Sequence, residues 1–214
     1  MSLFITGTDT GVGKTHTITQ LLRLLRESGV RCAGFKPICC GDRRDAELLL
    51  AAGMDGLTID EVNPLWLKTP AAPFAAALVE DVKIDIEILL GAFAALQKRA
   101  DYVFVEGVGG WLVPIRSDYF VSDLAAGMNL PVLVVAQNRL GCLNHTALTV
   151  RNIVSYGLRC VGVALNSPFG ETDPAVATNA EILGKIVDVP ILPGLVENMT
   201  ELPPAWSQII GSVR

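Results

Sequence analysis

Within its first fifteen residues the chain carries Gly7-Thr8-Asp9-Thr10-Gly11-Val12-Gly13-Lys14-Thr15, directly behind the apolar run Leu3-Phe4-Ile5-Thr6. No other feature constrains the fold as strongly. A strand, a glycine-bearing turn ending in Gly-Lys-Thr, and a following helix form the setting in which backbone N–H groups and a helix dipole hold phosphate. The glycine spacing departs from the usual G-x-x-x-x-G-K-S/T, because Thr8 stands where the first glycine belongs and Gly7 comes one residue early. The functional end of the loop is intact. Lys14 is expected to reach the β- and γ-phosphates of a nucleotide, and Thr15 to offer its hydroxyl to Mg²⁺. Gly11 and Gly13 let the backbone approach closely. Asp9, Thr10, Val12 and His16 belong to the same nucleotide-binding stretch.

The remaining chain alternates apolar runs with amphipathic ones. Strands are predicted over Leu3–Thr6, Arg31–Lys36, Tyr102–Val105, Val132–Ala136, Cys160–Leu165 and from Ile191 to Leu192. Helices are predicted over Thr15–Ser28, Asp42–Ala52, Asp85–Arg99, Ser122–Met128, Leu143–Tyr156 and Ala175–Ile186. The stretch Gly53–Pro73, with Pro64, Pro70 and Pro73, reads as irregular, and the last residues read as turns. Fully apolar strands separated by helices imply a mostly parallel sheet covered on both faces. The fold class is therefore α/β, of the P-loop nucleotide-hydrolase type, with residues 1–214 expected as a single domain.

Bulk properties exclude several classes of function. The net charge of −5 argues against a nucleic-acid surface, which is normally basic. Apolar stretches such as Pro131 to Ala136 fall far short of the ~20 residues that cross a membrane. The N-terminus runs straight into the loop, so no signal peptide is expected. The five cysteines are odd in number and form no C-x-x-C, so neither a disulfide framework nor a zinc site is expected. A reduced, cytoplasmic protein follows. With half of its residues hydrophobic, the chain has apolar surface to spare for an oligomer interface.

Two further segments place charged side chains at strand ends, where open α/β sheets bind ligands. Phe35-Lys36-Pro37 ends the second strand and leads into a loop with Cys40 and Gly41. Asp101 to Pro114 holds an apolar strand ending in Glu106, followed by Gly107, Gly109 and Gly110. Thr15, Asp45 and Glu106 together offer the hard oxygens that Mg²⁺ prefers, although their spacing in the sequence does not prove that they meet. His16 and His145 are far apart and form no metal motif.

These pieces resemble the dethiobiotin synthetases, ATP-dependent carboxylases of biotin synthesis. The matching segments are Gly7–Thr15, Gly34-Phe35-Lys36-Pro37-Ile38, Asp45, Asn63-Pro64, Val105–Trp111, Leu130–His145 and Asn166, in the family's order. The resemblance implies a reaction. One amine of 7,8-diaminononanoate takes up CO₂ as a carbamate, ATP phosphorylates it to a carbamic-phosphoric anhydride, and the second amine closes the ureido ring. It implies Lys36, Lys14 and Thr10 as the catalytic residues and Mg²⁺ held by Thr15, Asp45 and Glu106. The substrate would meet Thr10, Lys36, Cys40 and Gly109. It implies a base site formed by Asn166 with Pro193, Gly194 and Leu195. It also implies a homodimer in which Gly141, Cys142, Leu143 and Asn144 of a second subunit hold the substrate carboxylate at a helix start.

The chain departs from the family pattern in three places. Cys40 stands where a serine is usual, the loop from Cys40 to Asp45 is short, and Pro193-Gly194-Leu195 differs from the usual base loop. Two other classes share the loop. Partitioning ATPases carry an extra lysine at the position of Asp9, so a partner-driven switch is disfavoured. Cobyrinic acid amide synthases need a glutaminase domain, which is not expected within 214 residues.

Overall fold

The computed structural model describes residues 1–167 and 174–212. From the N-terminus, β1 (Ser2–Gly7) passes through the glycine loop into α1 (Lys14–Glu27), then β2 (Cys32–Phe35), the short β3 (Ile38–Cys40) and α2 (Arg44–Ala52). Next come α3 (Ile59–Val62), β4 (Leu65–Leu67), α4 (Pro73–Glu80), α5 (Ile86–Gln97) and β5 (Tyr102–Gly110). The chain continues through β6 (Pro114–Arg116), β7 (Tyr119–Phe120), α6 (Val121–Met128), β8 (Val132–Gln137) and α7 (Cys142–Ser155). It ends with β9 (Cys160–Asn166), α8 (Pro174–Ile186), β10 (Ile191–Pro193) and α9 (Pro204–Ser212).

Six of the strands form one sheet in the order β10-β9-β8-β1-β5-β2. Every pairing within it is parallel. Successive side chains of a strand point to opposite faces, and the two hydrophobic cores follow that alternation. Leu3 and Ile5 of β1, with Leu133 and Val135 of β8, pack against α1, α2 and α9 through Ile18, Leu22, Leu49 and Trp206. Phe4, Val132 and Val134 face the other way, against Leu89 and Phe93 of α5, Leu124 of α6 and Ile153 of α7. Each such fully buried side chain contributes about 1.5–3 kcal/mol, and a charge at Val134 would break the second layer.

β1 lies between β5 and β8, so the chain leaves it in opposite directions along the sheet on its two sides. A crevice opens at such a switch point, beyond the carboxyl ends of the strands. The glycine loop sits there. β3 and β4 form a separate two-stranded parallel ribbon with Cys40 opposite Leu67.

The expected elements all form, with shifted ends, and several more appear. The stretch expected to be irregular contains α3 and β4. Thr58 and Glu61 make a capping box at the start of α3, a T-x-x-E signal readable in the sequence. Pro73 and Pro204 do not break structure but open α4 and α9, because proline in the first helical turn gives up an N–H that has no partner anyway. β5 runs to Gly110 rather than stopping at Val105.

Candidate active site

The glycine loop closes over the end of β1 with Gly11 and Gly13 both in left-handed conformations, φ 76° and 95°. A Cβ on Gly13 would stand 2.5 Å from the Asn166 amide nitrogen, so this position requires glycine for space as well as conformation. Gly13 caps α1, and the next residue, Lys14, is buried with its ammonium 3.1 Å from the Asp9 carbonyl. The Asp9 carboxylate accepts from the Thr10 N–H at 2.7 Å and lies 3.8 Å from the Arg139 guanidinium.

Strand register explains why the acidic and basic strand ends meet. β5 is hydrogen-bonded to β1 on one side and β2 on the other, with Ile5 opposite Glu106 and Phe35 opposite Val105. Glu106 is therefore held between the glycine loop and Lys36. Its Oε1 accepts from Lys36 Nζ at 2.5 Å and from the Thr15 hydroxyl at 2.9 Å. Asp45, in the first turn of α2, takes a second bond from Lys36 at 2.7 Å. Thr15, Lys36, Asp45 and Glu106, separated by up to 91 positions in the sequence, thus converge beside Lys14.

The charges are tuned by these neighbours. Burial lowers the pKa of Lys14 to about 8, with Lys36 adding to the effect and Glu106 opposing it. Burial would also lower Lys36, but Glu106 and Asp45 outweigh it and hold the ammonium above the usual lysine value. The Asp45 carboxylate resists the upward pull of its partial burial and lies below its usual range, because Lys36 pairs with it. The second carboxylate oxygen of Glu106 is buried and has no hydrogen-bond partner. A buried, unpaired carboxylate oxygen is costly unless a cation can meet it. With the Thr15 hydroxyl and Asp45 it makes an all-oxygen donor set of the kind Mg²⁺ takes.

Two cavities meet at the loop, and both are lined by Gly11 and Gly13. The first, about 670 Å³, is lined by Thr10, Lys14, Thr15, Lys36, Cys40, Asp45, Glu106 and Gly109. A Cβ on Gly109 would come within 2.8 Å of Val113 and 3.4 Å of the Thr10 hydroxyl, so glycine keeps this wall open. The second, about 810 Å³, is lined by Val12, His16, Asn166, Pro193, Gly194 and Leu195. Asn166 donates to the Val12 carbonyl at 2.9 Å, and the His16 ring N–H meets the Leu195 carbonyl at 2.7 Å. Gly194 has no room for a side chain, since its Cβ would lie 2.6 Å from Asn166 Oδ1.

Gly141, Cys142, Leu143 and Asn144 line neither cavity of this chain. Gly141 caps α7 in a left-handed conformation, Cys142 is buried, and Asn144 is exposed. The sequence had not pointed to Cys39, Asp42, Pro70 or Val113 in the first cavity, nor to Asn138 and Gln137 in the second. Trp206 was also missed. It is fully buried and donates to the Pro193 carbonyl at 2.9 Å. Its helix lies among residues that read as turns, and the indole itself was the available signal, since a buried tryptophan N–H needs a partner.

The chain is similar to known proteins over most of its length. A family model described as an AAA domain matches residues 1–205. The ATP-dependent dethiobiotin synthetase of Akkermansia muciniphila is 45% identical over 91% of this chain and 92% of its own length. That of Endomicrobium trichonymphae is 38% identical over 89% of this chain and 90% of its own. Among solved structures, the MinD cell division protein of Aquifex aeolicus superposes with a TM-score of 0.53 at 18% identity, covering 99% of this chain and 94% of that one. The MinD of Pyrococcus horikoshii, complexed with Mg-ADP, gives 0.54 at 17% identity over 90% and 82%. At that identity the two structures share the P-loop nucleotide-hydrolase fold, and the resemblance in activity comes from the synthetases.

Proposed function

The chain belongs to the ATP-dependent dethiobiotin synthetase family, and from that premise we propose how its two contiguous cavities divide the reaction. It is an enzyme of biotin biosynthesis that forms dethiobiotin at the expense of ATP. In our reading the cavity beside Asn166 and Gly194 takes the nucleotide base, the glycine loop takes the phosphates, and the cavity beside Lys36 takes 7,8-diaminononanoate and CO₂.

The chemistry begins when one amine of the diamine attacks CO₂, forming a C–N bond and losing a proton. A carbamate oxygen then attacks the γ-phosphorus of ATP, and the bond to ADP breaks. The second amine attacks the carbonyl carbon of the anhydride, closes the ring and expels phosphate. The middle step brings two anions together, so the protein must neutralise charge and fix the line of attack. Lys36, held charged by Glu106 and Asp45, suits the incoming carbamate and the moving phosphoryl group. Lys14 suits the β- and γ-phosphates, and Thr10, which lines the same cavity, suits a carbamate oxygen through its hydroxyl. Thr15, Asp45 and Glu106 would hold Mg²⁺, which when bound supplies further positive charge to the phosphates. Cys40 lines the same cavity where a serine is usual, and a thiol donates only a weak hydrogen bond.

The substrate carboxylate is left to Gly141, Cys142, Leu143 and Asn144 at the start of α7. Because these residues are away from the Lys36 cavity of their own chain, the reading requires a homodimer with shared sites. The chain is read as one domain acting in a reduced cytoplasm, with no nucleic-acid or membrane partner. One observation carries the proposal: Lys36, Asp45, Glu106 and Thr15 meet beside Lys14 in one cavity, and a second cavity shares Gly11 and Gly13 of the loop with it. Purified protein given ATP, Mg²⁺, bicarbonate and diaminononanoate is expected to yield dethiobiotin, ADP and phosphate in equal amounts. ATP cleavage indifferent to the diamine would sink the assignment.

A further inference from the structure

Asn63 is fully buried and lines neither the loop cavity nor the base pocket. A buried side-chain amide is costly unless its hydrogen bonds are made, and this one makes three. Its nitrogen donates to the Lys36 carbonyl at 2.7 Å and to the Leu65 carbonyl at 2.9 Å. Its oxygen accepts from Arg43 Nε at 2.8 Å. Two carbonyls on one side and a guanidinium on the other allow only this orientation of the amide.

Lys36 needs such support. The ladder between β2 and β5 ends at Phe35 opposite Val105, and the next residue after Lys36 is Pro37, which has no N–H to offer. The Lys36 N–H instead donates to the Val62 carbonyl at 2.8 Å. Both main-chain polar groups of Lys36 are thus taken by residues 62 and 63. On its far side Asn63 is bound to Arg43, the N-cap residue of α2, whose first turn carries Asp45. Arg43 also reaches the Asn63 carbonyl at 2.7 Å and the Asp60 carboxylate at 2.6 Å. One amide therefore ties the backbone of Lys36 to the start of the helix that presents its carboxylate partner.

We propose that Asn63 is a positioning residue for the reaction, fixing the Lys36 ammonium against Asp45 and Glu106 so that it faces the transferring phosphoryl group. The inference rests on the role given to Lys36 above. It separates from a merely structural role by a double-mutant cycle, because a residue that acts through Lys36 has nothing left to lose once Lys36 is gone.

The experiment compares Asn63→Ala, Lys36→Ala and the double variant in diamine-dependent turnover, with ADP affinity as a control that does not involve the γ-phosphate. A misplacement near 1 Å costs on the order of 100-fold in rate. Asn63→Ala is expected to lose about 30- to 100-fold in kcat, to bind ADP within about twofold of wild type, and to add no further loss to Lys36→Ala. A normal kcat in Asn63→Ala, or losses that multiply in the double variant, overturns the inference while leaving Lys36 in place. Normal turnover in Lys36→Ala overturns the role of Lys36 and the inference with it. If Asn63→Ala does not fold, Arg43→Ala removes the outer anchor from a more exposed position. It is expected to cost about three- to tenfold, again only when Lys36 is present; no loss, or the same loss without Lys36, overturns the proposal.

Discussion

Lys14 at the start of α1 and Lys36 at the end of β2 are buried almost equally, at 6% and 4% exposure. Their surroundings drive them in opposite directions. Among the described residues Lys14 meets only the Asp9 carbonyl at hydrogen-bonding distance, and its pKa falls to about 8 under the cost of burial. The positive end of the α1 dipole beside it does nothing to favour a cation. Burial penalises Lys36 too, but it touches two carboxylates, and its ammonium is held above the ordinary lysine range. Burial does not decide the charge of a lysine; the groups that remain within reach after burial do. The contrast suits the proposed roles. A loop lysine without a carboxylate partner is left for phosphate oxygens, whereas a lysine clamped between two carboxylates is fixed in place before the substrate arrives.

The strongest way to break the contrast is to take Glu106 away. Glu106→Ala strips Lys36 of its fully buried partner, and breaking such a pair costs about 3–5 kcal/mol. Urea unfolding should show that loss, and a variant within about 1 kcal/mol of wild type would mean that Lys36 does not depend on Glu106. The next largest effect is on turnover. Lys36→Ala should lose about 10²–10³-fold in diamine-dependent kcat, the size of a lost oxyanion-type donor. Steady-state kinetics that return a near-normal kcat would remove Lys36 from the chemistry.

A smaller effect sharpens the contrast through pH. Lys14 has a folded pKa of about 8, below its unfolded value near 10.5. Between those values the unfolded chain binds the proton and the folded chain does not, so this group makes stability rise with pH. Lys36 has the opposite sign. Its folded pKa lies above the unfolded value, so its contribution is complete below about pH 10.5 and fades as pH rises through the folded value. Relative to Lys14→Met, the wild type should therefore gain up to about 3 kcal/mol between pH 8 and pH 10.5. Relative to Lys36→Met it should gain nothing in that window. Equal slopes for the two comparisons would erase the difference between the lysines.

Much of this site could be read from the sequence where its chemistry is local. Gly11, Gly13, Lys14 and Thr15 announce themselves because loop, helix start and the proposed phosphate contact lie within a few residues. Lys36, Asp45 and Glu106 could be named as strand-end or loop charges, but their meeting depends on β5 lying between β1 and β2, which no local pattern states. Asn63-Pro64 was visible as a matching pair, yet its role required the contact of Asn63 with the Lys36 carbonyl across 27 positions. The short elements escaped for another reason. α4 and α9 begin at prolines, and a residue that usually ends a helix masked two that start with it.

Two almost equally buried lysines of one site hold their protons with opposite tenacity. This contrast is tested most directly by following the side-chain amine resonances of Lys14 and Lys36, assigned through Lys→Met variants, in a pH titration by NMR. Lys14 is predicted to titrate near pH 8, while Lys36 is predicted to remain protonated beyond the ordinary lysine range. A Lys14 that titrates at the ordinary lysine value, or a Lys36 that loses its proton before Lys14, would contradict it.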